Sequence, residues 1–207
     1  MKIALAQLNY CIGDFEKNTE KIISSALKAK SEGADIVVFS ELSICGYFPS
    51  DCLLFDDFQK KSQASLDLIA EKCFEIPVIV GCPMPNETEG QKPLQNCAVY
   101  LYQGKRQIFA KQRIGSNPLC DERAYFEPSA DNEILEFEGF RIAVTLGDDL
   151  ANWSDDPILI ENRIDQLLGK HPNLVVNLAA SPFDYTMPKK RLNLLRLTAL
   201  KHELPLV

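Results

Sequence analysis

Short apolar runs and longer amphipathic stretches follow one another along this chain. Ile3 to Leu8 is a short apolar run and reads as a strand. Asp14 offers a helix cap. Behind it, from about Phe15 to Lys30, Ile22, Ile23, Ala26, Leu27 and Ala29 fall mostly on one face, and Gly33 ends the helix. Asp35 to Phe39 is uniformly apolar after its first residue, which predicts a strand covered on both sides. A helix follows from roughly Asp57 to Cys73, then an apolar strand from Pro77 to Gly81. Asn96–Tyr102 with Arg106–Ala110 reads as a hairpin around Gln103-Gly104. Ile134–Phe137 with Arg141–Leu146 reads as a second hairpin around Glu138-Gly139. The remaining elements are a helix from about Pro157 to Leu168, a strand Leu174–Leu178 and a helix from about Lys189 to His202.

The order begins as βαβαβ, passes through hairpins and returns to βαβα, which predicts an α/β protein with mixed strand pairing. No repeat or linker interrupts it, so residues 1–207 read as a single domain. The apolar Leu204-Pro205-Leu206-Val207 looks like the beginning of a strand. The expectation is therefore a C-terminally incomplete sheet, either truncated or completed by a partner.

Composition narrows the function classes. Hydrophobic residues make up 46% and charged residues 25%, as in an ordinary soluble domain. The net charge of −7 disfavours nucleic acid and anionic membrane as partners. The basic cluster Lys189, Lys190 and Arg191, with Arg196 and Lys201 on the same predicted helix, reads as a solvated face. Seven scattered cysteines without a CxxC spacing read as reduced, buried thiols, not a disulfide framework or zinc site. Only His171 and His202 are available as histidine ligands, and neither has a neighbouring ligand in sequence, so no metal is expected. No segment approaches the ~20 apolar residues of a membrane span and the N-terminus lacks a signal-peptide pattern, so the expected location is the cytoplasm.

Four strand ends carry candidate chemistry. Glu41 follows the buried strand Ile36–Phe39, at the edge where α/β sheets place ligands. There it reads either as a partly desolvated general base or as an exposed turn residue. Lys111 ends a strand and reads either as an oxyanion-stabilising cation or as a surface charge. Gly147-Asp148-Asp149 ends another strand in a tight turn, with either acid able to cap a helix start. Such a turn suits a nucleophile elbow, but glycine is not a nucleophile. Asn177 to Phe183 is a fourth strand end, where Ser181 either donates to a ligand or caps the turn before Pro182.

The order of these segments resembles the nitrilase, or carbon–nitrogen hydrolase, superfamily. The opening Met1–Asn9 with Gly13-Asp14 and Asn18 is similar to that family's start. Glu41–Pro49 with Asp51, Leu53 and Leu54 resembles the glutamate motif of its NAD synthetase branch, specifically the N-terminal glutaminase domain. Lys111 with Asp121-Glu122-Arg123 and Tyr125–Pro128 resembles the same branch's lysine motif, and Asn177–Phe183 its Asn-Ala-Ser-Pro segment. The resemblance runs from Met1 to Val207. It implies a four-layer αββα sandwich and a Glu–Lys–Cys triad that cuts an amide through a thioester. Carried over, Glu41 is the base, Lys111 the oxyanion partner and Gly147 the nucleophile's position. Tyr47, Asp148 and Ser181 then line the substrate pocket. The implied reaction is glutamine to glutamate and ammonia, the ammonia passing to a synthetase domain or subunit. ATP and Mg²⁺ would belong to that other domain, and this chain shows no phosphate-cradling glycine loop. Homo-oligomers are usual in the family.

The chain departs from the pattern where the chemistry is most demanding. Leu146-Gly147-Asp148-Asp149 stands where the family reads roughly Cys-Glu-Asp. Losing a nucleophile costs about 10⁴ to 10⁶ in rate. Cys120, between Lys111 and Asp121, is the substitute thiol to weigh, without the elbow that aims a sulfur at a carbonyl. Gly115-Ser116-Asn117-Pro118 lacks the branch's usual aromatic, and Asp184–Met187 lacks an arginine for a substrate carboxylate, leaving Lys189 or Lys190 for that role. Three readings follow: a weak or inactive amidase, a nitrilase-fold pseudoenzyme that binds a ligand or partner, or a fragment with no function of its own.

Overall fold

The structure, a computed structural model, describes residues 1–117, 120–130, 133–150, 163–181 and 184–207. A five-stranded sheet is ordered β1 (Ile3–Ala6), β2 (Ile36–Phe39), β3 (Val78–Pro85), β4 (Leu94–Tyr102) and β5 (Lys105–Ala110). The first three strands run parallel because helices α1 (Phe15–Ser31) and α2 (Asp56–Lys72) return the chain between them. β3, β4 and β5 form an antiparallel meander, with the turn at Gln103-Gly104 as the sequence predicts. A two-stranded ladder, β6 (Ser116–Asn117) with β7 (Cys120–Asp121), follows. A second sheet is ordered β10 (Leu174–Leu178), β9 (Phe140–Leu146), β8 (Ile134–Phe137).

Apolar faces stack these elements in sequence. Ile22 and Ala26 of α1 and Leu66 and Ile69 of α2 bury against Val37, Phe39, Val80 and Val99 on one face of the first sheet. Its other face, with Val38, Ile79, Tyr100 and Phe109, meets Ile142, Val144, Val176 and Leu178 of the second sheet. The far face of that sheet receives Leu167 and Leu168 of α3 (Arg163–Leu168) against Ala143 and Val175. The α/β class expected from the sequence is the observed one.

Local chemistry sets the element ends. Asp14 caps α1 by accepting from the Lys17 N–H at 3.2 Å. β3 runs on to Pro85, past Gly81 where the sequence reading stops it. Beyond Ile79, β2 no longer pairs with β3, so Pro83 removes no hydrogen bond on that side. The predicted helix from about Pro157 is seen only as α3, since residues 151–162 lie outside the described residues. The last four residues run parallel beside β10: Val175 N–H donates to Pro205 O at 3.0 Å and Asn177 N–H to Val207 O at 2.8 Å. The expected strand character of that segment is thus present.

Helix α4 (Met187–His202) starts two residues before its predicted beginning and buries no residue fully. Its basic residues Lys189, Lys190 and Arg196 are exposed, in line with a solvated face, while Lys201 pairs with Asp165. The cysteines are all free thiols. Cys45, Cys73, Cys82 and Cys97 are buried as expected, but Cys11 is exposed because it lies in the loop between β1 and α1. Among the described residues no helix is long and apolar enough to cross a membrane.

Candidate active site

Ends of strands from both sheets converge on one cluster of charges. Glu41 lies two residues beyond β2, Lys111 directly beyond β5, Gly147 directly beyond β9 and Ala180 two beyond β10. Asn96 enters near the start of antiparallel β4, at the same end of the sheet.

Glu41 owes its place to a backbone crossing. A Cβ on Gly81 would lie 2.2 Å from Leu42 N, 2.5 Å from Ser40 O and 2.7 Å from the Glu41 carbonyl carbon. The chain leaving β2 therefore rests directly on the β3 backbone, which only glycine permits. Ser43 Oγ accepts from Gly81 N–H at 3.1 Å, and the buried Asn18 amide donates to Ile44 O at 3.2 Å, tying the same loop to α1.

The glutamate so placed is 1% exposed, which removes the exposed-turn reading. Its Oε1 accepts from Lys111 Nζ at 2.7 Å and from Asn96 Nδ2 at 2.8 Å, and its Oε2 from Ala180 N–H at 3.0 Å. Lys111 is 3% exposed, so the surface-charge reading also fails. Its ammonium also donates to Glu122 Oε2 at 2.6 Å, and Asn96 Nδ2 reaches Glu122 Oε1 at 3.4 Å. Burial alone would push the Lys111 pKa down, but Glu41 and Glu122 outweigh it and hold the ammonium above its ordinary range. One buried cation is thus clamped between two buried carboxylates.

Gly147 faces this cluster. Its φ of +45° is left-handed, and a Cβ there would lie 2.8 Å from Lys111 Nζ and 3.0 Å from Glu41 Oε2. The turn is pinned from within its own sheet, since Asn177 Nδ2 donates to Gly147 O at 3.4 Å. Asp149 does not cap a helix as anticipated. Its carboxylate reaches back to the Leu146 N–H and across to the N–H groups of Gln112 and Arg113, because burial leaves those backbone donors as its available partners.

The other anticipated residues divide. Tyr47 is half-buried, and burial first, then the charges of Glu122, Glu41 and Asp148, push its hydroxyl pKa up, which puts it near the cluster. Asp148 packs its carboxylate over the Gly115 backbone at the same rim. Cys120 bonds to Tyr47, and desolvation raises its thiol pKa, the opposite of what an activated nucleophile needs. Ser181 follows Ala180 directly; it is exposed, and its Oγ accepts from Arg191 of α4 at 2.6 Å. Pro182 and Phe183 of its motif lie outside the described residues.

Two members of the cluster escaped the residue-by-residue reading. Asn96 was visible as the polar residue in the apolar run of β4, and Glu122 only as part of a motif. Buried polar groups in a sheet need partners, and here the partners are each other and Lys111.

Two carboxyls give the fold a pH signature. Burial, then the Glu41 charge, raises Glu122 from 4.5 to about 7, against the pull of Lys111. Burial raises Asp149 from 3.8 to about 7, against its three backbone donors. Both groups hold a proton more tightly folded than unfolded. Their contribution is therefore fully present below about pH 4 and is lost as pH rises through about 7. Thermal melts should give a Tm several degrees lower at pH 8 than at pH 5, at roughly 2–4 °C per kcal/mol for a chain of this size. The slope should flatten in Asp149→Asn and in Glu122→Gln. A flat profile in the unmodified chain would contradict the burial of these charges.

With this geometry in view, comparison with known proteins is informative. The carbon–nitrogen hydrolase family profile matches residues 2–150. The chain belongs to the carbon–nitrogen hydrolase family. Within that family it is 37% identical over 215 residues to the glutamine-dependent NAD(+) synthetase of Synechocystis sp., covering 99% of this chain and 38% of that protein. It is 28% identical over 200 residues to the enzyme of the same name from Thermotoga maritima, covering 96% and 33%. Among solved structures, the glutamine-dependent NAD+ synthetase of Acinetobacter baumannii in complex with ADP superposes with a TM-score of 0.86 at 28% identity, over 99% of this chain and 37% of that one. An amidase from Nesterenkonia sp. superposes at 0.82 with 22% identity, over 100% and 74%, and so shares the fold. The carbon–nitrogen hydrolase chain thus spans less than two fifths of the length of the NAD synthetases it matches.

Proposed function

We propose that this chain is a glutaminase-type domain whose site binds a primary amide, L-glutamine, and turns it over weakly or not at all. One observation carries this reading: Glu41 and Lys111 are paired at 2.7 Å, and the place of a side chain at residue 147 lies against both. That is a base, a cation for a developing oxyanion and an elbow, assembled at one point. Glycine leaves the elbow without a sulfur. Glu41, itself held by the Ala180 N–H, offers an acceptor to an amide –NH₂, and Tyr47 and Asp148 are the proposed walls of the pocket.

The relatives carry NAD synthetase in their names, and this chain matches less than two fifths of their length. Ammonia for NAD synthesis is accordingly the proposed ancestral output, with a synthetase domain or subunit as partner and ATP and Mg²⁺ on that partner's side. A homo-oligomer is part of the same proposal. Ser181 and Arg191, 2.6 Å apart at the edge of α4, are the groups proposed to meet the substrate's carboxylate, a role earlier given to Lys189 or Lys190.

The test is a titration of the unmodified chain with L-glutamine. NMR cross-peaks of Gly147 and Ala180 should shift saturably while a coupled assay detects no ammonia above background. Brisk ammonia release that survives Glu41→Gln would sink the reading, and so would saturating glutamine that moves neither cross-peak.

A further inference from the structure

Lys111 and Gly147 belong to different sheets. Lys111 ends β5 in the first sheet and Gly147 follows β9 in the second. Between those sheets lies an apolar cluster. Apolar packing is non-directional, so it fixes the spacing of two sheets better than their sliding. A distance between groups on opposite sheets needs directional bonds across the gap.

Asp149 makes two such bonds, and a third to its own sheet, with one side chain. Its Oδ2 accepts from Leu146 N–H at 2.8 Å, the residue just before Gly147. Its Oδ1 accepts from Gln112 N–H at 2.9 Å and Arg113 N–H at 2.8 Å, the two residues just after Lys111. The carboxylate thus grips the chain on the near side of one functional position and the far side of the other. Only a carboxylate satisfies all three donors. An asparagine would turn its –NH₂ toward an N–H on one side and lose that bond. Burial pushes the carboxyl up to about 7, so the fold retains a costly ionisable group here.

We propose that Asp149 is a positioning residue, which sets the distance between position 147 and the Lys111 ammonium by bridging the two sheets. The proposal rests on the reading of position 147 as the nucleophile's place.

The experiment uses Gly147→Cys as background and adds Asp149→Asn. The first readout is the pH midpoint of iodoacetamide alkylation of the introduced thiol, resolved by peptide mass spectrometry from the native cysteines. Lys111 beside the thiol pulls that midpoint down, against Glu41 and Glu122, which push it up. Adding Asp149→Asn should raise it by about one unit as the ammonium drifts away. The second readout is ammonia from glutamine, where kcat should fall about 100-fold with KM within about twofold, as misplacement by an ångström does. An unchanged midpoint overturns the proposal, even if Tm falls. A raised midpoint with no ammonia from either variant sustains the positioning role and removes the glutamine reading instead. Should the double variant not fold, the unmodified chain decides. The amides of Leu146, Gln112 and Arg113 must then titrate with one common midpoint, and independent titrations overturn the bridge.

Discussion

Gly147→Cys should convert the chain into a measurable glutaminase. The backbone is already shaped for it: φ at residue 147 is +45°, the left-handed turn of an elbow. A non-glycine residue there costs about 1–2 kcal/mol, which a folded domain of this size can absorb. The added Cβ would meet Lys111 Nζ at 2.8 Å and the Glu41 oxygens at 3.0 and 3.2 Å. These are ends of long side chains, so relief requires shifts of a few tenths of an ångström. The sulfur beyond that Cβ would attack the amide carbon, forming the C–S bond as Glu41 takes the thiol proton. Lys111 would face the oxyanion, and the proton would pass to the departing nitrogen as the C–N bond breaks. Water would then cleave the thioester to glutamate and restore the thiol. The rate should exceed that of the unmodified chain by about 10⁴ to 10⁶. A folded variant that releases no ammonia would mean that the pocket around the elbow no longer accepts glutamine. Activity in the variant that Glu41→Gln leaves intact would mean that the base is elsewhere.

The largest stability effect is expected at Lys111. Lys111→Met removes the only cation contacting Glu41 and Glu122 among the described residues, both carboxylates being essentially buried. Breaking a buried ion pair from one side costs about 3–5 kcal/mol, because the remaining charge stays desolvated. Here two charges remain. Denaturant unfolding at pH 8 should show a loss in that range or greater, and the loss should shrink toward pH 5 as the Glu122 carboxyl takes up a proton. Lys17→Met provides the contrast. Lys17 is exposed and pairs with Asp14 at 3.2 Å, and its removal should leave stability close to unchanged. Equal losses for the two lysines would show that the cluster is no more than another surface pairing.

Much of this architecture was legible in the residues, and the exceptions have physical causes. Strands β2 and β10 announce themselves because a strand covered on both sides must be apolar throughout. The two hairpins are written in their Gln-Gly and Glu-Gly turns. β3 was cut short because Gly81 and Pro83 punctuate most chains. In this fold the glycine is a crossing point, and the proline sits where one neighbouring strand has ended. Family motifs brought Glu41, Lys111 and position 147 together, though no local signal put any of them in the interior. Asn96, Glu122 and Asp149 form bonds between elements far apart in sequence, joining residues 26 to 55 positions apart. No periodicity in a single strand encodes such a contact.

The Lys111 cluster also bears on how such a site persists over generations. Its ammonium and carboxylates tie strand ends of the first sheet to the loop that carries Glu122, as much as they prepare a reaction. Selection for a chain that merely folds would therefore guard them, with or without an amide to cut. A chain with glycine at this turn can thus keep the surrounding charges in place whether or not it turns over an amide.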